Sequence, residues 1–451
     1  MKKVITYGSF DLFHDGHYRL LKRAKELGDY LIVGVTTEQY DEYRGKLNII
    51  DSIVNRIEHI KQTGFADEII IEDHMGQKIE DILKYNIDIF TVGSDWTGKF
   101  DYLKEYCEVI YLERTKGISS TMLRVTNYNI IKIGIIGSGR IANRFVPESK
   151  AVNGVNVESV YNPHLQSAKK LADKFELNTY TDNIDIFYND IDAVYIASPH
   201  NTHYEYIKSS LINGKHVLCE KPMVLSKSQA EELFDIAISN NLVLLEAIKT
   251  AYTPGFLKLI GIAKSGEIGV IRDVEACFTK LVSGNIRELQ KEENGGSFTE
   301  LASYPLLAII KILGTDYKEV RFDCFVDKNG IDLYTKAYLY YDTTIATAKV
   351  GLGVKSEGQL IISGTNGYLL AEAPWWKTQH FEVRHEDSNK NEKFYTKFYA
   401  EGLRYEISDF ESLINGNKKK EFKLTAIESV VLAKIMEDFI NGKNKNIITI
   451  N

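Results

Sequence analysis

The chain has 451 residues, enough for about three domains of roughly 150 residues each. Apolar residues make up 44% and charged residues 26%, an ordinary globular balance, and the net charge of -7 excludes the basic footprint of a nucleic-acid-binding surface. Cys107, Cys219, Cys277 and Cys324 are far apart and form no C-x-x-C, which argues against a disulfide framework or zinc cluster and for reduced thiols in a cytoplasmic protein. Lys2 and Lys3 are followed by only a short apolar strand, unlike a signal peptide. No apolar run approaches the roughly 20 residues of a membrane span, so neither a membrane nor a nucleic acid is expected as a partner.

Taken in order, "VITYGSF", "DYLIVGVTT", "DEIII", "IDIFTVG" and "CEVIYL" read as strands separated by helical segments. The first of these, "GHYRLLKRAKELG", repeats Leu20, Leu21, Ala24 and Leu27 at helical spacing and stops at Gly28. Strands alternating with helices predict a parallel α/β sheet. A second alternation starts at Ile130 with "IKIGIIG", "VNVESVY", "AVYIASP", "KHVLCEKP" and "LVLLEAI". Beyond residue 250, period-two segments such as "LYTKAYLYYDTTIATAKVGL" and "EGQLIISGTNGYLLAEAPWW" predict a large mixed or antiparallel sheet. The end, "AIESVVLAKIMEDFING", reads as an amphipathic helix. The expected fold is α/β: a Rossmann-like domain over 1-126, a dinucleotide-type Rossmann domain over 130-250 and an α+β domain over 251-451. The first two are joined by the short seam "TNYN". The run Lys418 to Lys420 reads as a solvated turn.

Two glycine turns carry chemistry. In "GSFDLFHDGH", His14 and His17 stand where a turn enters a helix, and a helix N-terminus gathers N–H donors suited to phosphate. Metal ligation by this pair lacks an evident third ligand, and simple helix capping is the other alternative. About a hundred residues later, "ERTKGISSTML" combines Arg114 and Lys116 with Gly117 and the hydroxyls of Ser119, Ser120 and Thr121 in a second phosphate-type turn.

Together these motifs resemble the HxGH nucleotidyltransferase superfamily, and within it the glycerol-3-phosphate cytidylyltransferases, over nearly all of residues 1 to 125. The resemblance implies that His14 and His17 stabilise the α-phosphate of CTP, and that Lys46, Arg56 and Arg114 neutralise the triphosphate and the incoming phosphate. It places Ser9, Phe10, Asp95, Trp96, Thr115, Ile118, Ser119 and Ser120 around the nucleotide. The segment "YRGKLNIIDSIVNRIEHI", which carries Lys46 and Arg56, matches the family less closely. A phosphomonoester oxygen would attack the α-phosphorus and pyrophosphate would leave. No protein nucleophile is needed, and Mg²⁺ would arrive with CTP through its phosphates.

The second turn, "IGIIGSGRIA", sets Gly137, Ser138 and Gly139, then Arg140 and Ile141, between a strand and a helix, as a dinucleotide pyrophosphate requires. The next strand ends at Tyr161 and Asn162 with no acidic residue to bind a ribose 2′-hydroxyl. With Arg140 near, this favours NADP(H) over NAD(H). "DAVYIASPHNTHYEYIKSSLINGKHVLCEKPM" then resembles the glucose–fructose oxidoreductase/inositol dehydrogenase (Gfo/Idh/MocA) family, whose mark is Glu220-Lys221-Pro222. This resemblance implies cofactor contacts from Ser198, Pro199, His203 and Glu220, and a catalytic Lys221 that polarises a carbonyl while hydride arrives. In the later motif, "NGGSFTELASYP", Glu300 takes the acidic position and Tyr304 that of the proton donor, with Asn294, Glu300 and Ala302 departing from the family pattern. A buried packing role remains the alternative for Tyr304. Trp375 and Trp376 are read as strand packing before sugar-site lining.

Two catalytic units on one chain imply consecutive steps: CMP transfer from CTP to a sugar or polyol phosphate, and NAD(P)H-dependent reduction of the sugar carbonyl. The expected product is a CDP-alditol, with a CDP-hexitol such as CDP-glucitol from fructose 6-phosphate favoured, for capsule or teichoic polymers. CDP-ribitol and CDP-glycerol stay open, as do oxidation of a CDP-polyol as the second step and a regulatory role for the first domain. The partners expected are small molecules, and a homo-oligomer is implied by both resemblances.

Overall fold

The computed structural model describes residues 1–113, 130–284, 286–416 and 422–449. It divides into two compact units, Met1–Ile130 with Lys150–Gly154, and Ile131–Ser149 with Val155–Asn451.

In the first unit, strands β1 (Lys3–Gly8), β2 (Tyr30–Thr36), β3 (Glu68–Glu72), β4 (Ile89–Gly93) and β5 (Glu108–Leu112) alternate with helices α1 (Asp15–Lys25), α2 (Glu38–Tyr43), α3 (Ile53–Gln62) and α4 (Gln77–Tyr85). All pairings are parallel, in the order β3-β2-β1-β4-β5. The chain reverses direction across the sheet between β1 and β4, which is where an open parallel sheet places a ligand crevice. Val4, Val33 and Leu31 face one apolar layer with Leu21, Ala24 and Ile60, while Ile5, Ile32 and Phe90 face another with Ile82 and Leu103. Helices cover both faces, so the strands read as continuous apolar runs.

The second unit opens with β6 (Ile131–Ile136), α5 (Ala142–Ser149), β7 (Val155–Tyr161), α6 (Leu165–Phe175), β8 (Thr179–Thr181), α7 (Ile184–Phe187), β9 (Ala193–Ile196), α8 (His203–Ile212), β10 (His216–Glu220), α9 (Lys227–Ser239) and β11 (Leu244–Ala247). These strands form a parallel sheet ordered β11-β10-β9-β6-β7-β8. Its switch point lies between β6 and β9, so the turns after these two strands frame one crevice.

The chain continues through α10 (Pro254–Lys264), β12 (Ile271–Thr279), α11 (Ser297–Leu301), α12 (Ser303–Leu313), β13 (Glu319–Val326), β14 (Asp332–Tyr340), β15 (Ile345–Gly351), β16 (Leu360–Gly364), β17 (Tyr368–Ala371), β18 (His380–Arg384), β19 (Glu392–Tyr395), α13 (Leu403–Ile414), α14 (Ala426–Ile440) and β20 (Lys445–Thr449). The nine strands form one mixed sheet ordered β19-β18-β17-β16-β12-β15-β14-β13-β20. Its pairs are antiparallel except β12 with β15 and β13 with β20. Alternate residues of β14 and β15 are buried, matching the period-two pattern of that stretch. Trp375 is buried and donates from Nε1 to the Cys277 carbonyl at 2.7 Å, which makes it a packing residue. Trp376 stacks on Phe278 with ring centroids 3.9 Å apart. No single helix among the described residues is long and apolar enough to cross a membrane.

Candidate active sites

In the first unit, His14 is the N-cap of α1, and its Nδ1 accepts from the Gly16 amide at 3.0 Å. The His14 and His17 rings stack with centroids 3.9 Å apart and an interplanar angle of 21°. A Cβ on Gly16 would lie 2.7 Å from Cε1 of His14, so the glycine between the histidines is what lets the first ring fold back. Phe10 and Phe13 flank His17 at 5.4 and 5.5 Å. Nδ1 of His17 is buried and has no partner among the described residues. Burial, then the neighbouring His14 and Lys46, hold its pKa well below the usual histidine value. His17 is therefore neutral at pH 7, and one of its nitrogens carries a proton it can donate.

Lys46 hydrogen-bonds the Ser9 hydroxyl, and burial lowers its pKa against the pull of Asp41 and Asp11. Ser9 is buried and Lys46 half-buried. Asp95 and Trp96 sit on a 3-10 turn straight after β4, both exposed, with the Lys99 ammonium 4.9 Å from the Trp96 ring centroid. The turn holding Arg114, Thr115, Ile118, Ser119 and Ser120 lies outside the described residues.

Two expectations change here. Arg56 is 0% exposed. Its guanidinium donates to the carbonyls of Asp51, Ser9 and Thr36 at 3.0, 2.9 and 2.9 Å and pairs with Glu38 at 3.2 Å. It braces the strand ends of the crevice, because its donors face inward and not toward an incoming phosphate. Phe10 is 1% exposed in the core, with a φ of 52°, so only its main chain is available to a ligand.

In the second unit, Gly137 has a φ of 98° and donates to the Tyr161 carbonyl at 2.9 Å. A Cβ there would come within 2.6 Å of the Ala197 oxygen, so only glycine lets β6 and β9 end this closely. Gly139 faces open space. The amides of Ser138, Gly139, Arg140 and Ile141 donate to no described residue. These free N–H groups ahead of α5 are a pyrophosphate cradle, and the residues fit a dinucleotide. Asn162 donates to the Ser138 hydroxyl at 2.9 Å and occupies the strand tip where an acidic residue would bind a ribose. Arg140 is 70% exposed at its side chain and lies 3.6 Å from Glu288.

The turn after β9 and the turn after β10 are tied together. His203 is wholly buried, and its ring nitrogens sit 2.9 Å from the carbonyls of Ser198 and Pro222. Burial lowers the His203 pKa, and the neutral ring has one N–H to donate to one of these two carbonyls. Enclosed between the two turns, His203 positions the Ser198-Pro199 turn and does not itself reach a cofactor. Thr202 donates to the Ser198 hydroxyl at 2.7 Å. Glu220 accepts from the Tyr195 hydroxyl at 2.6 Å and also stands behind the cleft.

Lys221 follows β10. Its Nζ donates to the Glu300 carbonyl at 2.9 Å and lies 5.9 Å from the Tyr304 ring centroid. The structure thus brings Lys221, Glu300 and Tyr304 together from segments about eighty residues apart. The Tyr304 hydroxyl makes no hydrogen bond among the described residues. Burial, then Glu220 and Glu406, push its pKa up, so it keeps its proton at any ordinary pH.

Two further residues of this site are not evident from the sequence. Arg287 meets the Glu300 carboxylate at 2.9 and 3.1 Å, and His200 approaches it at 3.7 Å. Burial, then Lys221, hold the His200 pKa well below its usual value, so the ring is neutral. The Arg287 turn folds onto Gly295, whose Cβ would lie 2.7 Å from the Glu288 oxygen and 2.9 Å from the Arg287 oxygen. A second glycine signal close to the family motif was the only available hint. No group of three or more His, Cys, Asp or Glu among the described residues could hold a metal ion.

The fold and sites define a nucleotidyltransferase-type unit followed by a dinucleotide-dependent oxidoreductase unit. Residues 5–126 match the "Cytidylyltransferase-like" family, 131–247 the "Oxidoreductase family, NAD-binding Rossmann fold", and 256–370 the "GFO/IDH/MocA C-terminal domain". Among relatives, a glycerol-3-phosphate cytidylyltransferase of Bacillus spizizenii is 54% identical over 124 residues, 28% of this chain and 95% of the relative. The NADP(+)-dependent scyllo-inositol 2-dehydrogenase of Bacillus subtilis is 28% identical over 319 residues, 68% of this chain and 96% of the relative. A 3-ketoreductase from Actinomadura kijaniata, solved with NADP and TDP-benzene, shares the fold with a TM-score of 0.64 at 23% identity, covering 72% of this chain and 100% of that one. The chain belongs to the cytidylyltransferase-like family through its first unit, and that domain is fused to a Gfo/Idh/MocA oxidoreductase. Both are enzyme domains.

Proposed function

We propose that the chain is a bifunctional enzyme that transfers CMP from CTP to a sugar or polyol phosphate and reduces the sugar carbonyl to an alcohol. The reading rests on one observation: a stacked His14–His17 pair at a helix N-terminus and a Lys221–Tyr304 cleft beside a dinucleotide cradle occur on a single chain.

In the first step, N–H donors of the α1 N-terminus and the neutral His17 ring stabilise charge as it builds on the α-phosphorus oxygens. The Lys46 ammonium, placed by Ser9, draws in the triphosphate, and the anionic phosphate of the acceptor attacks unaided. Mg²⁺ accompanies CTP through its phosphates. In the second step, the bound nicotinamide supplies the hydride. Lys221 donates a hydrogen bond to the sugar carbonyl, and Tyr304 gives its proton to the oxygen as it becomes alkoxide-like. An alkoxide is basic enough to take that proton even from a tyrosine with a raised pKa.

The favoured product is a CDP-hexitol such as CDP-glucitol from fructose 6-phosphate, made in the cytoplasm for surface polysaccharide. NADPH is the favoured donor, because Asn162 leaves the ribose position without a carboxylate. The identity to a glycerol-3-phosphate cytidylyltransferase supports a second reading, a shorter product such as CDP-glycerol or CDP-ribitol. A panel of sugar and polyol phosphates with CTP, assayed for pyrophosphate and then given NADPH, tests both. The expected nucleotide product gains the mass of two hydrogens. Absence of that gain overturns the reductive step, and absence of pyrophosphate with every acceptor overturns the transfer.

A further inference from the structure

Behind the reductase cleft lies a buried charge cluster that the mechanism above does not use. Glu406, in the first turn of α13, is 0% exposed. Among the described residues neither of its carboxyl oxygens has a hydrogen-bond partner and no cation forms an ion pair with it. An ionised carboxylate left in that state loses its hydration with nothing to replace it, so Glu406 is a neutral acid.

Charged and titratable groups face it from every side. Glu220 comes from the end of β10, Lys249 from the 3-10 turn after β11, and Glu148 from α5. The Tyr195, Tyr252 and Tyr304 hydroxyl groups lie within the reach of its field. Glu148 is already compensated: it accepts from Nε of Arg404 at 2.8 Å and from the Glu401 amide at 2.7 Å. Lys249 donates to the Glu401 carbonyl at 2.6 Å and feels the Glu406, Glu401 and Glu220 carboxyls, with Lys377 opposing. Glu220 has the Tyr195 hydroxyl and the Lys221 and Lys249 ammonium groups beside it, whereas Glu406 has Lys249 alone and no hydrogen bond among the described residues. Glu220 precedes Lys221 in the chain.

We propose that Glu406 is a positioning residue of the reductase that sets charge: with Glu220 and Lys249 it holds one proton behind Lys221 and Tyr304, and the loss of that proton sets the alkaline limit of carbonyl reduction. Burial raises the pKa of both carboxyls, that of Glu406 the further, in agreement with the geometry. When the shared proton leaves, a second negative charge appears behind the catalytic pair. Tyr304 then holds its own proton more tightly, and delivery to the sugar oxygen weakens. The role extends the reductase reading and depends on it.

The test uses the full chain, NADPH and an accepted sugar phosphate. The pH profile of kcat/KM is measured for wild type, Glu406→Gln and Lys249→Met. Glutamine cannot ionise, so the alkaline limb should move up by about one pH unit or more. Removing the ammonium raises the proton affinity of the pair, so Lys249→Met should move the limb in the same direction. Infrared spectra at neutral pH should show a protonated-carboxyl stretch that is weaker in Glu406→Gln than in wild type, the remainder coming from buried Glu246, whose pKa burial pushes up to about 7. An unmoved limb in both variants overturns the proposal, whatever happens to kcat. If Glu406→Gln does not fold, Lys249→Met alone decides by the same criterion. If the wild type oxidises no NADPH with any sugar, the reductase reading fails, and a protonated-carboxyl stretch no weaker in Glu406→Gln than in wild type then overturns the proton assignment separately.

Discussion

The ammonium of Lys221 lies 2.9 Å from the main-chain oxygen of Glu300, while the carboxylate of that same glutamate is clamped 2.9 Å from Arg287. One residue thus orients the catalytic lysine through its backbone and an arginine through its side chain. Lys221→Met should lower reduction by about 10²–10⁴-fold, the usual worth of a positioned acid, and leave pyrophosphate release unchanged. Glu300→Gln keeps the carbonyl but frees Arg287, so its effect should fall more on KM for the sugar than on kcat. Steady-state kinetics of both half-reactions separate these outcomes. Equal loss of both activities in Lys221→Met would sink the assignment.

Gly16 owes its place to a ring. Alanine would put Cβ 2.7 Å from Cε1 of His14, so the imidazole must swing out of its stack on His17. Gly16→Ala should lower CMP transfer by about 10²–10³-fold, the usual cost of losing one preorganised donor, with NADPH oxidation intact. Full CTP turnover in this variant would show that the stacked arrangement is dispensable.

Arg56 separates bracing from phosphate binding. Its buried guanidinium serves three carbonyls and two carboxylates. Arg56→Met leaves Asp41 and Glu38 without that cation and should destabilise the first unit by about 3–5 kcal/mol, typical for breaking a buried pair. Urea unfolding measures this. A variant of undiminished stability with only a raised KM for CTP would return Arg56 to the phosphate-binding set.

His200 and the half-buried His17 are neutral, burial holding each pKa well below the ordinary histidine value of 6.5. The unfolded chain therefore binds more protons than the folded one as pH falls below about 6.5. These groups contribute stability that is present above that pH and lost as the pH drops toward their folded values. The thermal midpoint should fall between pH 7 and 5, and His17→Asn with His200→Asn should flatten the slope. A slope unchanged by both substitutions would contradict the burial argument.

Much of this protein was legible in local sequence. The two glycine turns, the H-x-x-H spacing and the Glu220-Lys221-Pro222 run are contiguous motifs, and a contiguous motif states its own backbone geometry. Strand cores such as Ile131–Ile136 and Val155–Tyr161 announced themselves as apolar runs. The short β8 and the edge strand β20, by contrast, carry little pattern, because an edge strand with an exposed face need not alternate.

Local chemistry determined the two kinds of reaction, a helix-terminal phosphate site and a dinucleotide cradle. Only the tertiary structure decided which side chains point where. It turned Arg56 and His203 inward, brought Arg287 and His200 to Glu300, and set Glu406 beside Glu220 and Lys249. Those outcomes depend on burial and on Coulomb interactions between segments distant in the chain, and neither is written into a residue's immediate neighbours.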